Sequence, residues 1–196
     1  MKIYTKFGDN GETYTLGLGK VNKDHIKVAF HGDVDELTSW LGVIASSFDD
    51  IRRYNLEEVD NLIAFVRLNQ SRLLNTGALA IGGETPEISE WVDDLEKEID
   101  RMEEKLPKIR EFILPGATKV DGFINVARSV CRRAERTTVS LSKQYEIDKG
   151  IIKYLNRLSD YLFVLSRYVN FLIGVPDILK NESEYVRSKR KIEESR

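Results

Sequence analysis

The sequence predicts an all-α fold, an up-and-down bundle of five helices, and three observations carry that expectation. Apolar residues recur every three or four positions through five long stretches, the period that buries one face of a helix. The stretches are parted by short connections, several of them marked by Gly or Pro, as between antiparallel neighbours in a bundle. No run alternates apolar and polar residues long enough to make a sheet. With 196 residues, no internal repeat and no second composition regime, the chain reads as one domain. Its parts are an N-terminal segment over 1–32, the bundle over 33–176 and a charged tail over 177–196, expected to be mobile or only partly helical.

Residues 1–32 are rich in Gly, Asp and Lys and show no lasting period, so they read as loop. In Thr5-Lys-Phe-Gly-Asp-Asn-Gly11 and Gly17-Leu-Gly19-Lys20 the glycines free backbone N–H groups to turn toward a ligand, and Lys6, Lys20 and Lys23 offer positive charge to phosphates. A Gly-rich surface turn fits equally well, and the G-x-x-x-x-G-K-[ST] phosphate loop is absent. The first helix is expected to start at Asp33, capped by its carboxylate with Glu36 reaching back. Leu37, Trp40, Leu41, Ile44 and Phe48 give its buried face, while Asp35 lies on another side.

A second helix is expected from about Leu56 to Ile81, with Val59, Leu62, Ile63, Val66, Leu73, Leu74 and Ala78 at helical spacing and Gly82-Gly83 at its end. The third runs from about Ile88, after Pro86, to Leu106 before Pro107, and its charged outer face reads as solubility. Glu111-Phe-Ile-Leu-Pro-Gly116 reads as a short apolar loop with Phe112 as a plug. A fourth helix, about Asp121 to Tyr145, buries Ala127, Val130, Cys131, Ala134, Thr138 and Leu141 and carries Arg128, Arg132, Glu135 and Arg136 beside that seam. Arginines one turn apart repel, so this face suggests an anionic partner; a solvated charged face is the other reading. The fifth helix, roughly Ile151 to Gly174, has its core seam at Leu155, Leu158, Leu162, Leu165 and Val169. Asn156, Asp160, Phe163, Arg167 and Asn170 form a second, polar stripe on it, which signals an interface or a site.

Composition narrows the function. The net charge of −2 implies no general attraction to nucleic acid or membrane, so an anion site must be a local cluster. The single cysteine, Cys131, forms no internal disulfide and suits a reducing cytoplasm. The N-terminus lacks an apolar leader run, and Tyr161 to Val175 is too short, and broken by Arg167, to span a bilayer. A di-iron bundle needs Glu-x-x-His pairs on facing helices, whereas the two histidines, His25 and His31, precede the expected first helix. The C-x-x-C-H haem motif is missing too.

Five separated motifs then carry a resemblance. Thr5-Lys-x-Gly-Asp-x-Gly11, Gly32-Asp-Val-Asp-Glu-Leu37, Phe112-Ile-Leu-Pro-Gly116, Ala127-Arg-Ser-Val-Cys-Arg-Arg-Ala-Glu-Arg136 and Tyr154-Leu-Asn-Arg-Leu-Ser-Asp160 span about residues 3 to 173 in one order. Together they resemble the PduO-type ATP:cob(I)alamin adenosyltransferase family. The resemblance implies a ferritin-like bundle assembled as a homotrimer, with active sites between subunits, that moves the 5′-deoxyadenosyl group of ATP to cobalt(I) of a corrinoid and releases triphosphate. It implies that Thr5, Lys6, Phe7, Gly8, Asp9, Thr13, Tyr14 and Lys23 enclose ATP with Arg132, Arg133, Ala134, Glu135, Arg136 and Asn156. It further implies that Arg128 pairs with Asp35 across the boundary and that Phe112 lies under the corrin ring, with Asp35, Phe112, Arg128 and Arg132 catalytic. Magnesium is expected through ATP phosphates and no residue is assigned as a metal ligand. A reductase and an adenosylcobalamin-dependent enzyme are the expected protein partners. A non-catalytic carrier of ATP or adenosylcobalamin and a purely structural bundle are the alternatives. The chain departs from the family's usual pattern at Phe7, Asn10, Gly17-Leu-Gly19 and Ala117, and near Ile81-Gly-Gly-Glu84.

Overall fold

A computed structural model of the chain describes residues 2–15, 18–79 and 87–182. Five helices dominate it: α1 (Ile26–Ser47), α2 (Leu56–Leu79), α3 (Glu87–Glu103), α4 (Lys119–Ser142) and α5 (Gly150–Leu172). Two small antiparallel ribbons accompany them, β1 (Glu12–Thr15) with β2 (Gly19–Asn22), and β3 (Ile113–Leu114) with β4 (Ile178–Leu179). No helix among the described residues is long and apolar enough to cross a membrane.

Side-chain links fix the helix directions. His25 meets Tyr145 and Asp33 meets Thr137, so α1 and α4 run antiparallel. Thr118 meets Asn170 and Glu135 meets Asn156, so α4 and α5 do too. Arg72 pairs with Asp94 and Arg101 with Glu58, which sets α2 against α3. Glu96 to Arg157 and Lys105 to Tyr168 make α3 parallel to α5. The chain between α3 and α4 therefore crosses one end of the bundle, and this crossover carries Phe112.

The core follows the expected period. On α4, Ala127, Cys131, Ala134, Thr138 and Leu141 are wholly buried and Val130 nearly so, while Leu155, Leu158, Leu162, Leu165 and Val169 line α5 from inside. Leu158→Ala is expected to cost about 2–5 kcal/mol of stability, the range for large-to-small changes in a close-packed core. Chemical denaturation checks it, and a smaller loss would mean that the site collapses around the gap.

Several expectations need correcting. The first helix begins at Ile26, seven positions before Asp33, with His25 as its cap: the imidazole Nδ1 accepts from Lys27 N at 3.2 Å. Asp33 and Glu36 mimic a capping box in sequence, but they sit inside α1 and accept from Arg133 of α4. Gly32 is tolerated there because its neighbours Phe30 and Val34 are core residues, and packing outweighs the ~1 kcal/mol helix cost of glycine. The bundle boundary thus moves from 32/33 to 25/26. The N-terminal loop contains the β1–β2 hairpin, in which Thr13 pairs with Val21 and Tyr14 with Lys20; strands of four residues are too short for an alternating pattern to announce them. Leu74, expected in the α2 seam, is 63% exposed because Leu73 and Thr76 take the inward positions. Residues 178–182 are ordered as β4 and a 3-10 turn, so the described start of the charged tail is structured. Gly17, Gly82-Gly83, Pro86, residues 183–196 and the Ala78 side chain lie outside the description.

Candidate functional site

The crossover between α3 and α4 and the middle of α4 build a cavity of about 1040 Å³. Its apolar wall includes Ile109, Phe112, Pro115, Val126 and Phe163; its charged wall includes Arg128, Arg133 and Arg136. Phe112, the residue just before β3, is 82% exposed, an unusual state for a large apolar ring. The turn that follows it is held from α4: Gly116 N and Ala117 N each donate to Asp121 Oδ2 at 2.8 Å, and Asn125 Nδ2 donates to Oδ1 at 2.6 Å. Gly116 has φ +100°, a conformation that a side chain would strain. Arg128 lies over the Phe163 ring, 5.3 Å from its centroid, so its charge stays at the cavity rim on an aromatic support.

A second cavity, about 270 Å³, lies one turn further along α4 and is lined by Arg132, Glu135, Arg136, Val139 and Asn156. Spacings of three and four put the first four on one helix face, and Asn156 reaches over from α5 to donate to Glu135 Oε1 at 3.0 Å. Arg136 Nη1 donates to the Arg132 carbonyl at 2.9 Å and lines both cavities. The two spaces therefore share one residue, Arg136.

The neighbouring positions do different work. Arg133 Nε donates to Asp33 Oδ1 at 2.8 Å and its Nη2 to Glu36, which ties α4 to α1. Ala134 is wholly buried in the core. Cys131 donates to the Leu155 carbonyl, and burial, seconded by the Glu135 carboxylate, pushes its thiol far above the ordinary range. A thiolate is therefore scarce at neutral pH. Iodoacetamide is expected to label Cys131 only after unfolding, read as a mass shift with and without denaturant; rapid labelling of the native protein would contradict it.

The N-terminal residues gather separately. Lys6 has φ +60°, Asp9 N donates to its carbonyl at 3.3 Å, and Lys23 N donates to the Gly11 carbonyl at 2.9 Å. A Cβ on Gly8 would stand 3.0 Å from Lys23 Nζ, so that ammonium lies against the loop backbone. The Phe7 and Tyr14 rings pack at a tilt, 5.3 Å between centroids, Thr13 sits on β1 and Thr5 Oγ1 accepts from Phe7 N. None of these residues lines either cavity of the same chain. Asp35 is on the exposed side of α1 and, among the described residues, makes no ion pair within the chain.

The polar stripe expected on α5 splits in two. Asn156 and Phe163 face the cavities, whereas Arg167 and Asn170 are 4% and 2% exposed and bond within the fold. Sequence reasoning missed Ile109, Val126, Ser129 and Ser166 in the larger cavity, and Asp121 as the anchor of its turn. Val126, apolar yet one position off the α4 seam, was the available signal.

Residues 3–169 match the family model described as cobalamin adenosyltransferase. The chain is 37% identical to the corrinoid adenosyltransferase of Bacillus subtilis (strain 168) over 199 aligned positions that cover all of both chains. It is 36% identical to the cobalamin adenosyltransferase of Cupriavidus metallidurans, over 91% of this chain and 93% of that one. Among solved structures, a variant PduO-type ATP:corrinoid adenosyltransferase from Lactobacillus reuteri complexed with cobalamin and ATP aligns with TM-score 0.76 and 32% identity, covering 93% of this chain and 98% of the other.

Proposed function

This chain belongs to the cobalamin adenosyltransferase family and is an ATP:corrinoid adenosyltransferase; we propose that its active centre is the pair of cavities joined at Arg136, with ATP in the smaller and the corrinoid in the larger. The observation that carries this reading is the shared wall. A small cavity lined by Arg132, Glu135, Arg136 and Asn156 adjoins a larger one with an extended apolar wall, and Arg136 lines both. A nucleotide and an apolar ring held there would present C5′ to the metal.

In the reaction, cobalt(I) of the substrate attacks C5′ of ATP, a cobalt–carbon bond forms, the C5′–O bond breaks, and triphosphate leaves with the bonding pair. The substrate metal is the nucleophile, so the protein's tasks are alignment and charge stabilisation. Arg132 would bind the departing polyphosphate through its planar fork, Glu135 and Asn156 would hold the nucleoside side, and Phe112 would cover the lower face of the corrin. Magnesium would arrive with the phosphates.

The hairpin residues from Thr5 to Lys23 belong, in this reading, to the site of a neighbouring copy in a homotrimer. Their absence from the lining of both cavities of their own chain supports that assignment, as do the exposed Val126 and Val139 beside the cavities. Asp35 would then meet the neighbour's counterpart of Arg128. Removing one member of a buried charge pair costs about 3–5 kcal/mol, so Asp35→Asn is expected to cut corrinoid turnover while leaving ATP affinity near wild type. Sedimentation shows whether assembly survives. Unchanged turnover would remove Asp35 from the site.

The function itself is tested by mixing the protein with ATP, magnesium and chemically reduced cobalamin. The light-sensitive spectrum of a cobalt–carbon bond should develop together with triphosphate. ATP binding without that product would point to a carrier instead.

A further inference from the structure

Phe112 stands almost free of the core, so something else must set its position. Its carbonyl accepts from Lys180 N at 2.9 Å, and the next two residues pair with the chain's C-terminal part, Ile113 with Leu179 and Leu114 with Ile178. A ribbon of two residues per strand is marginal by itself. Its support comes from Arg167, which is 4% exposed. Arg167 Nη2 donates to the Pro107 carbonyl at 2.7 Å, and Nε donates to Asp177 Oδ2 at 2.8 Å. One buried guanidinium thus joins the start of the crossover to the start of β4. Before it, Gly174 (φ +73°) turns the chain back after α5, and Val175 N donates to the Asn170 carbonyl at 2.9 Å. Asn170, 2% exposed, also accepts from Thr118 Oγ1 at the head of α4.

We propose that residues 177–180 are a positioning strap for Phe112, with Arg167 as its buried clasp and the Lys180 N–H as its point of contact. This rests on the reading that Phe112 covers the lower corrin face. Neither Arg167 nor Lys180 needs to touch a substrate; both act by holding the segment that carries the ring. Misplacing a reacting group by about 1 Å can cost ~10²-fold in rate, so a ribbon that fixes the height of Phe112 would set how completely it displaces cobalt's lower ligand.

The test separates the N–H from the side chain. Lys180→Pro removes the donor to Phe112, at the first residue of a 3-10 turn where the fixed φ of proline is compatible; Lys180→Ala keeps the donor and removes the ammonium that lies 5.9 Å from the ring. With ATP and cobalt(II) cobalamin, the proline variant is expected to show a smaller fraction of cobalt without a lower ligand by electron paramagnetic resonance. Its kcat should fall roughly 10- to 100-fold with KM for ATP unchanged, while the alanine variant matches wild type. Hydrogen exchange over residues 111–114 should quicken in the proline variant, a readout that needs no substrate. Asp177→Asn, which weakens the clasp without emptying a buried site, should shift both readouts the same way. Wild-type exchange and cobalt signature in Lys180→Pro would overturn the strap, and so would an alanine variant as impaired as the proline one. Failure of the wild-type protein to make a cobalt–carbon bond would overturn the functional reading instead, and the exchange result would still judge the ribbon.

Discussion

Arg132→Ala is expected to lower ATP-dependent turnover by ~10²-fold or more, the usual cost of losing one preorganised charge contact at a leaving group. The contrast with its neighbour is the argument. Arg133 is occupied by Asp33 and Glu36 on α1, whereas the Arg132 guanidinium, among the described residues, makes no ion pair and borders the smaller cavity. Arg132 stands one turn from both Arg128 and Arg136, like charges that repel along a helix, and a polyphosphate bound there, as proposed, would relieve that repulsion. Arg132→Lys keeps the charge and loses the fork, so it should recover only part of the rate. Calorimetric ATP titration and steady-state kinetics check the series. Arg133→Ala serves as the counterpart, with a lowered melting temperature and a smaller kinetic effect, because its ion pairs join helices. Equal kinetic losses at the two positions would sink this division of labour.

The same helix shows what a sequence makes legible. Ala127, Val130, Cys131, Ala134, Thr138 and Leu141 were expected inside from their period alone, and all are buried; the arginine face follows from the same geometry. Local period is blind to partners far along the chain. Asp33 and Glu36 looked like a helix start because the capping pattern is local, while their partner Arg133 is about a hundred positions away. The β3–β4 ribbon joins residues 113–114 to 178–179 and leaves no periodic trace in either. Arg167 reads in sequence as part of a polar stripe that marks an interface or a site, and only its contacts with Pro107 and Asp177 show that it bonds within the fold. The smaller cavity was readable because one helix supplies most of its wall. The larger one was legible only in part: Phe112, Arg128 and Phe163 stand out in the sequence, whereas Ile109 and Val126 join them only after folding.

Phe112→Ala is the second large effect expected, and it should depend on the oxidation state supplied. A phenyl ring at 82% exposure forgoes about 1.5–3 kcal/mol of burial in the empty protein. A ligand that covers it would recover this, and in the proposed site that ligand is the corrin. With alanine there, the lower face of cobalt(II) would be open to water or to the substrate's own base, and an added axial donor would make the metal harder to reduce. Turnover that begins from cobalt(II) with a reductant present should therefore fall by ~10²-fold, the scale of a misplaced reacting centre. Turnover from chemically prepared cobalt(I), which has no need of a fifth ligand, should fall far less. Because the ring is exposed, the melting temperature should barely move, in keeping with surface changes of about ±0.5 kcal/mol. Measuring both starting states side by side distinguishes the roles: equal losses would make Phe112 a simple packing contact for the corrin, and no loss from cobalt(II) would remove it from the reaction.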